Sequence, residues 1–186
     1  MKTKLVLTVI LIFFLFLTGC SNNDDNAQNS ETLSKSSPAL KGSSAITNTF
    51  SQAQTEVIET FGEIAKSIKD GDMDKLISFH GYGPKFTEFK NGQLRNGGAE
   101  NEIYERQLFG ELVTNVVRFA AKDLKVAVYY GNVANVTFLS DFIFTFGDDP
   151  TEVHVNNQIT LLFVKVNGNW KMVHEHHSPL DVPLPV

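Results

Sequence analysis

At 186 residues, with a formal net charge of −5, fifteen phenylalanines and one cysteine, the chain has material for a single modest core. It has no Lys/Arg cluster to neutralise phosphates, which excludes nucleic acid as an expected partner. A lone cysteine also excludes an internal disulfide framework, so the folded part must hold together by burial. At the N-terminus, Lys2 and Lys4 precede an apolar run from Leu5 to Leu17, and Thr18-Gly19 place small residues directly before Cys20. That layout is an export signal, and the run is too short for a comfortable bilayer span.

The Leu17-Thr18-Gly19-Cys20 ending resembles a bacterial lipoprotein signal. The resemblance implies removal of residues 1–19 and lipidation of Cys20, with palmitate-type acyl chains anchoring the protein in the cell envelope. Ser21, being uncharged, favours the outer membrane where two membranes exist. Residues 20–50 are rich in Ser, Asn, Asp, Thr and Lys, which predicts a disordered tether, and the folded domain is expected over 51–186.

Within that domain helices come first and strands afterwards, an α+β order. From Ser51, the residues Val57, Phe61, Ile64, Ala65 and Ile68 fall on one helical face, and Gly71 ends the run. A short second helix carries Met73, Leu76, Ile77 and Phe79, and His80-Gly81-Tyr82-Gly83-Pro84 is a loop. Residues 86–98 read as a strand end and a polar loop, and Glu100–Val113 as a third helix through Ile103, Leu108 and Leu112. Val116–Ala120, Leu124–Tyr130, Val133–Phe146, Thr151–Val166 and Trp170–Ser178 read as strands, joined at Gly131-Asn132 and Asn167-Gly168-Asn169. The expected whole is a strongly curved antiparallel sheet wrapped around about three helices. In Val133–Phe146, alternation puts Phe138, Ser140, Phe142 and Phe144 on the helix-covered face. Asn135, Thr137, Leu139, Asp141 and Ile143 then form the opposite, exposed face.

The closing strand, Gly168-Asn169-Trp170-Lys171-Met172-Val173-His174-Glu175-His176-His177-Ser178, resembles that of SnoaL-like domains in the nuclear-transport-factor-two-like superfamily. The nearest pattern is the association domain of calmodulin-dependent protein kinase, with Gly71-Asp72-Met73-Asp74, Pro84 and Phe86 matching in order. The resemblance spans about residues 53–179. It implies a cone-shaped α+β fold with an apolar pocket, a superfamily that holds isomerases, cyclases, dehydratases and non-catalytic binding domains, and a homodimer paired across the exposed sheet face. The pocket arginines of the association domain are replaced at the matching Ser140 and Leu161.

The expected ligand pocket is therefore built by Trp170, Phe138, Phe142 and Phe144, with Ser140, His174, His176 and Tyr82 as its polar contacts. His174 and His176 share a strand face, half of a metal site that would need ligands such as His80, Asp141 or His154 to complete it, but no second half stands at a recognisable spacing, so no metal and no cofactor are expected. Acid–base chemistry would need a carboxylate in the cone and a donor beside it. Asp141 or Glu105 could serve as base and Tyr82, Tyr104, Tyr129 or Tyr130 as donor, though their arrangement is no signature and no catalytic residue is assigned. The leading expectation is binding of a small apolar or amphipathic molecule, or homodimer assembly. The alternative is an isomerase, dehydratase or cyclase acting on a small hydrophobic substrate.

Overall fold

The structure is a computed structural model that describes residues 43–180. The signal segment 1–19, Cys20 and the first part of the expected tether lie outside the described residues. Within the span 20–50 expected as tether, Ser43–Thr47 forms a short helix, α1, in which Ala45 is buried.

Helix α2, Ser51–Asp70, follows the predicted periodicity and buries Ala53, Val57, Phe61 and Ile64 against the sheet. Each large apolar side chain so buried contributes about 1.5–3 kcal/mol. Gly71 ends α2 at φ 68°. Its N–H reaches Ile68 O and the Asp72 N–H reaches Ser67 O, a Schellman closure that requires the left-handed backbone glycine adopts without strain. Asp72 then caps α3, Met73–Ser78, by accepting the Lys75 N–H at 3.0 Å.

The polar stretch expected to hold only a strand end and a loop is a complete hairpin, β1 (Thr87–Lys90) and β2 (Gln93–Asn96). Asn91 and Gly92 turn it at φ 52° and 79°, the two-residue geometry that Asn-Gly favours. Helix α4, Gly98–Gln107, passes into a π-helical turn over Leu108–Leu112 and then into β3, Val113–Tyr129. The helix forms where expected, but with its phase reversed. Ile103 and Leu112 are exposed, whereas Gly98, Asn101 and Glu105 face inward. Gly98 sets that phase, since a Cβ there would stand 2.8 Å from Tyr82 Cα, so only glycine lets the helix approach so closely.

Strands β3, β4 (Val133–Phe146), β5 (Val153–Val166) and β6 (Asn169–Pro179) pair antiparallel in sequence order. β1 adds to β6 in parallel, giving the order β2-β1-β6-β5-β4-β3. The two strands predicted over 116–130 are one long strand whose register shifts three times, and such bulges bend a sheet. The core lies between α2 and the inward residues Ala134, Val136, Phe138, Ile159, Leu161 and Phe163.

Two residues of the expected outer face of β4 are covered within the chain itself. Asp141 is buried, with Oδ1 accepting from Arg118 Nη2 at 2.9 Å, and Ile143 is 5% exposed. The patch expected to pair two copies thus shrinks to the half-buried Asn135, Thr137 and Leu139.

Candidate functional site

His80 is positioned by both of its neighbours. Met172 N–H donates to Phe79 O at 2.9 Å and Gly81 N–H donates to Met172 O at 2.7 Å, so residues 79–81 dock on β6 as a short parallel bridge. The His80 ring, 6% exposed as a residue, stacks on Tyr82 at 4.6 Å between centroids. Its Nδ1 lies 3.0 Å from Leu76 O, a group that can only accept, so Nδ1 carries a proton. Its Nε2 lies 3.0 Å from Glu175 Oε1 and 3.6 Å from Glu105 Oε2.

Two further layers complete the cluster. Tyr82 OH donates to Glu105 Oε2 at 3.0 Å and accepts from Asn101 Nδ2 at 3.0 Å. Asn101 and Glu105 lie one turn apart on the inward side of α4. On the other flank, His177 Nε2 lies 3.2 Å from Glu175 Oε2, and the parallel pairing sets Glu88 of β1 beside Glu175. Lys90 Nζ stands 3.8 Å from Glu88 Oε1.

Burial and mutual charge set the protonation of these groups. Burial alone pushes the His80 imidazole down, yet the Glu175 hydrogen bond and charge, then the Glu105 charge and the Leu76 carbonyl, lift it to about 9. Burial and the Glu175 charge push Glu105 up to about 7, against the opposing pull of His80 and the Tyr82 hydrogen bond. Burial works against the Glu175 carboxylate too, but hydrogen bonds from His177 and His80 outweigh it and hold Glu175 well below the usual carboxylate range. The Tyr82 phenol is pushed up, first by burial and then by the charges of Glu105 and Glu175. The chain thus holds an imidazolium and a firm carboxylate as a pair, with a second carboxyl near neutrality beside a phenol.

The residues expected to build a pocket are dispersed. Tyr82 is in the cluster, and of the acid–base candidates Tyr82 and Glu105 are brought together. His174 and His176 are on the other side of β6: His174 Nδ1 pairs with Thr87 Oγ1 at 2.8 Å, and Phe89 packs against both rings. The expectation that this pair faces the interior is corrected, because the inward residues of β6 are those opposite Leu161 and Ile159, namely Glu175 and His177. Phe138 packs edge-on against Phe61 at 5.0 Å. Phe142 and Phe144 pack on each other, with Phe109 and Phe119 against Phe142, so all three form filled core in place of a pocket wall. Ser140 is 2% exposed and its Oγ accepts the Asn157 N–H at 3.0 Å. Trp170 lies at the hairpin end of β6, donating to Glu56 Oε2 at 3.1 Å and lining a surface groove with Glu59, Phe79 and Lys171.

His80, Glu175, Asn101, Glu88 and His177 carry no acid–base assignment from sequence. The Asn91-Gly92 dipeptide was the available signal, since the hairpin it marks brings Glu88 to β6.

A curved, unclosed sheet packed on helices matches the cone-shaped α+β class of the NTF2-like folds. A family model described as the SnoaL-like domain matches residues 57–183, and the chain belongs to that family. Among similar solved structures is a candidate dehydratase of the NTF2-like family from Streptomyces avermitilis, with TM-score 0.62 and 17% identity over 71% of this chain and 99% of that one. A candidate scytalone dehydratase from Novosphingobium aromaticivorans aligns with TM-score 0.63 and 12% identity, covering 75% and 93%. A candidate calcium/calmodulin-dependent protein kinase II association domain from Xanthomonas campestris aligns with TM-score 0.53 and 15% identity, covering 68% and 86%. At these identities the likeness shows the fold alone. No curated protein sequence matches the chain.

Proposed function

We propose that the protein is a lipid-anchored, extracytoplasmic enzyme performing acid–base chemistry of the dehydratase or isomerase kind on a small, largely apolar molecule. The observation that carries this reading is Glu105, a carboxyl held inside the domain and pushed up to about 7, with Tyr82 OH at 3.0 Å and His80 Nε2 at 3.6 Å. A general base works best with its pKa near the working pH. A pocket that only binds apolar molecules gains nothing from such a group, whose burial costs stability. The dehydratase names of two similar folds accord with the chemistry, and the Leu17–Cys20 ending supports the anchor.

In this reading Glu105 takes the proton α to a carbonyl, and the electron pair of the broken C–H bond shifts toward the carbonyl oxygen. The Tyr82 phenol and the positive charge at His80 offset the negative charge that develops there. In a β-hydroxy compound the hydroxyl then departs with the proton Glu105 acquired, leaving as water. Tyr82 and His177 are only half-buried and form the margin through which a substrate reaches the cluster.

The test is proton exchange and water elimination by the full-length protein in D2O, followed by NMR on a panel of cyclic ketones and β-hydroxyketones. Wild type exchanges or eliminates on at least one, and Glu105→Gln lowers that rate about 10²- to 10⁴-fold. Wild type inert across the panel would contradict the proposal.

A further inference from the structure

Glu175 presents its two carboxylate oxygens to two different imidazoles, Oε1 to His80 at 3.0 Å and Oε2 to His177 at 3.2 Å. One ligand atom each from His80, Glu105 and Glu175 lie within 4.8 Å of one another, and the same holds for Glu88, Glu175 and His177. All three glutamates are buried, and the β1–β6 register sets two of them side by side on one face, where like charges repel.

We propose that this cluster binds one divalent first-row transition cation, with His80 Nε2, Glu105 and Glu175 as its ligands. Four observations converge on that trio. His80 Nδ1–H is fixed by the Leu76 carbonyl, the outer contact that aims the opposite nitrogen of metal-ligating histidines. The separations of 3.0 and 3.6 Å from Nε2 to the two carboxylates bracket the roughly 3.0–3.4 Å expected between atoms sharing an ion at about 2.0–2.1 Å. One imidazole and two carboxylates without sulfur suit Zn2+ or its neighbours better than Ca2+, which takes more oxygens. Asn101, 1% exposed and joined to the cluster through Tyr82, has its Oδ1 buried without a hydrogen-bond partner, an acceptor that a metal-bound water is chemically fitted to serve. His177 Nε2, 3.2 Å from Oε2, holds the far side of Glu175 and so orients it.

This inference goes beyond the proposed function and does not rest on it, since a cation bound to Glu105 would engage the carboxylate which that reading uses as base. The uptake of Zn2+ is read without substrate. Full-length protein, stripped with chelator and dialysed, is titrated with Zn2+ by calorimetry and with Co2+ by visible absorption. The expected result is one ion per chain and a Co2+ spectrum of nitrogen and oxygen ligation, with affinity falling at least a hundredfold in Glu105→Gln. The double variant His174→Ala, His176→Ala removes only the outward imidazoles and should keep wild-type affinity. Absence of uptake by wild type overturns the inference, as does binding that survives Glu105→Gln or is lost only with the outward pair. Should Glu105→Gln not fold, X-ray absorption on the Zn2+-loaded wild type decides, a shell with a single imidazole upholding the site and a shell with two overturning it. Wild type that exchanges α-protons yet takes up no Zn2+ sinks this inference and leaves the proposed function standing, whereas uptake without turnover upholds the site alone.

Discussion

Four consecutive residues of β6 divide into two unlike pairs. His174 and His176 face outward beside Phe89 and Thr87, while Glu175 and His177 face inward onto His80 and the end of α4. Alternation along a strand guarantees such a division but does not say which pair is enclosed. The enclosure comes from distant residues, since the partner of Glu175 is 95 positions away. The imidazole pair conspicuous in the sequence is therefore the peripheral one, and the enclosed titratable groups gather around the glutamate between them.

The sharpest way to break that contrast is to delete its inward centre. Glu175→Ala strips the buried His80 imidazolium of its nearer counter-charge and leaves only Glu105 at 3.6 Å, and removing one partner of a buried pair costs about 3–5 kcal/mol, read from urea unfolding midpoints. A loss no larger than that of an outward variant would mean that His80 is not held as the structure has it. Next in size is Tyr82→Phe, which removes the acceptor of Asn101 Nδ2 and the donor to Glu105, for a cost of about 1–3 kcal/mol in the same measurement. The smallest effect belongs to His174→Ala with His176→Ala. Their surroundings are partly solvated, so a change of about 1 kcal/mol or less is expected. A larger loss would show that the outward face is structural in its own right.

Much of the fold was legible because periodicity is local. The α2 stripe, the Gly71 stop and the alternation of Val133–Phe146 are all written in neighbouring residues, and each element forms close to where that spacing puts it. Where local reading failed, a contact between distant segments had decided the matter. Ile103, Leu108 and Leu112 suggested the buried stripe of α4, but the close approach of Gly98 to Tyr82 turned the helix so that Asn101 and Glu105 point inward. Asp141 read as exposed by alternation, and Arg118 on β3 covers it. Glu88 lay in a stretch read as a strand end and a polar loop, and only the parallel pairing of β1 with β6 brings it to Glu175. The phenylalanines were placed correctly on the inner face of β4, but Phe61 of α2 and Phe109 of the π turn fill the space they would have lined.

That the inward side of β6 and α4 is the reaction centre, and the outward side is not, can be read in one side-by-side assay. Proton exchange in D2O is followed on the same ketone panel for wild type, Glu105→Gln and the His174→Ala, His176→Ala double variant. The account predicts that the double variant exchanges at the wild-type rate while Glu105→Gln falls at least a hundredfold. Loss of exchange in the outward variant with Glu105→Gln still active would contradict it.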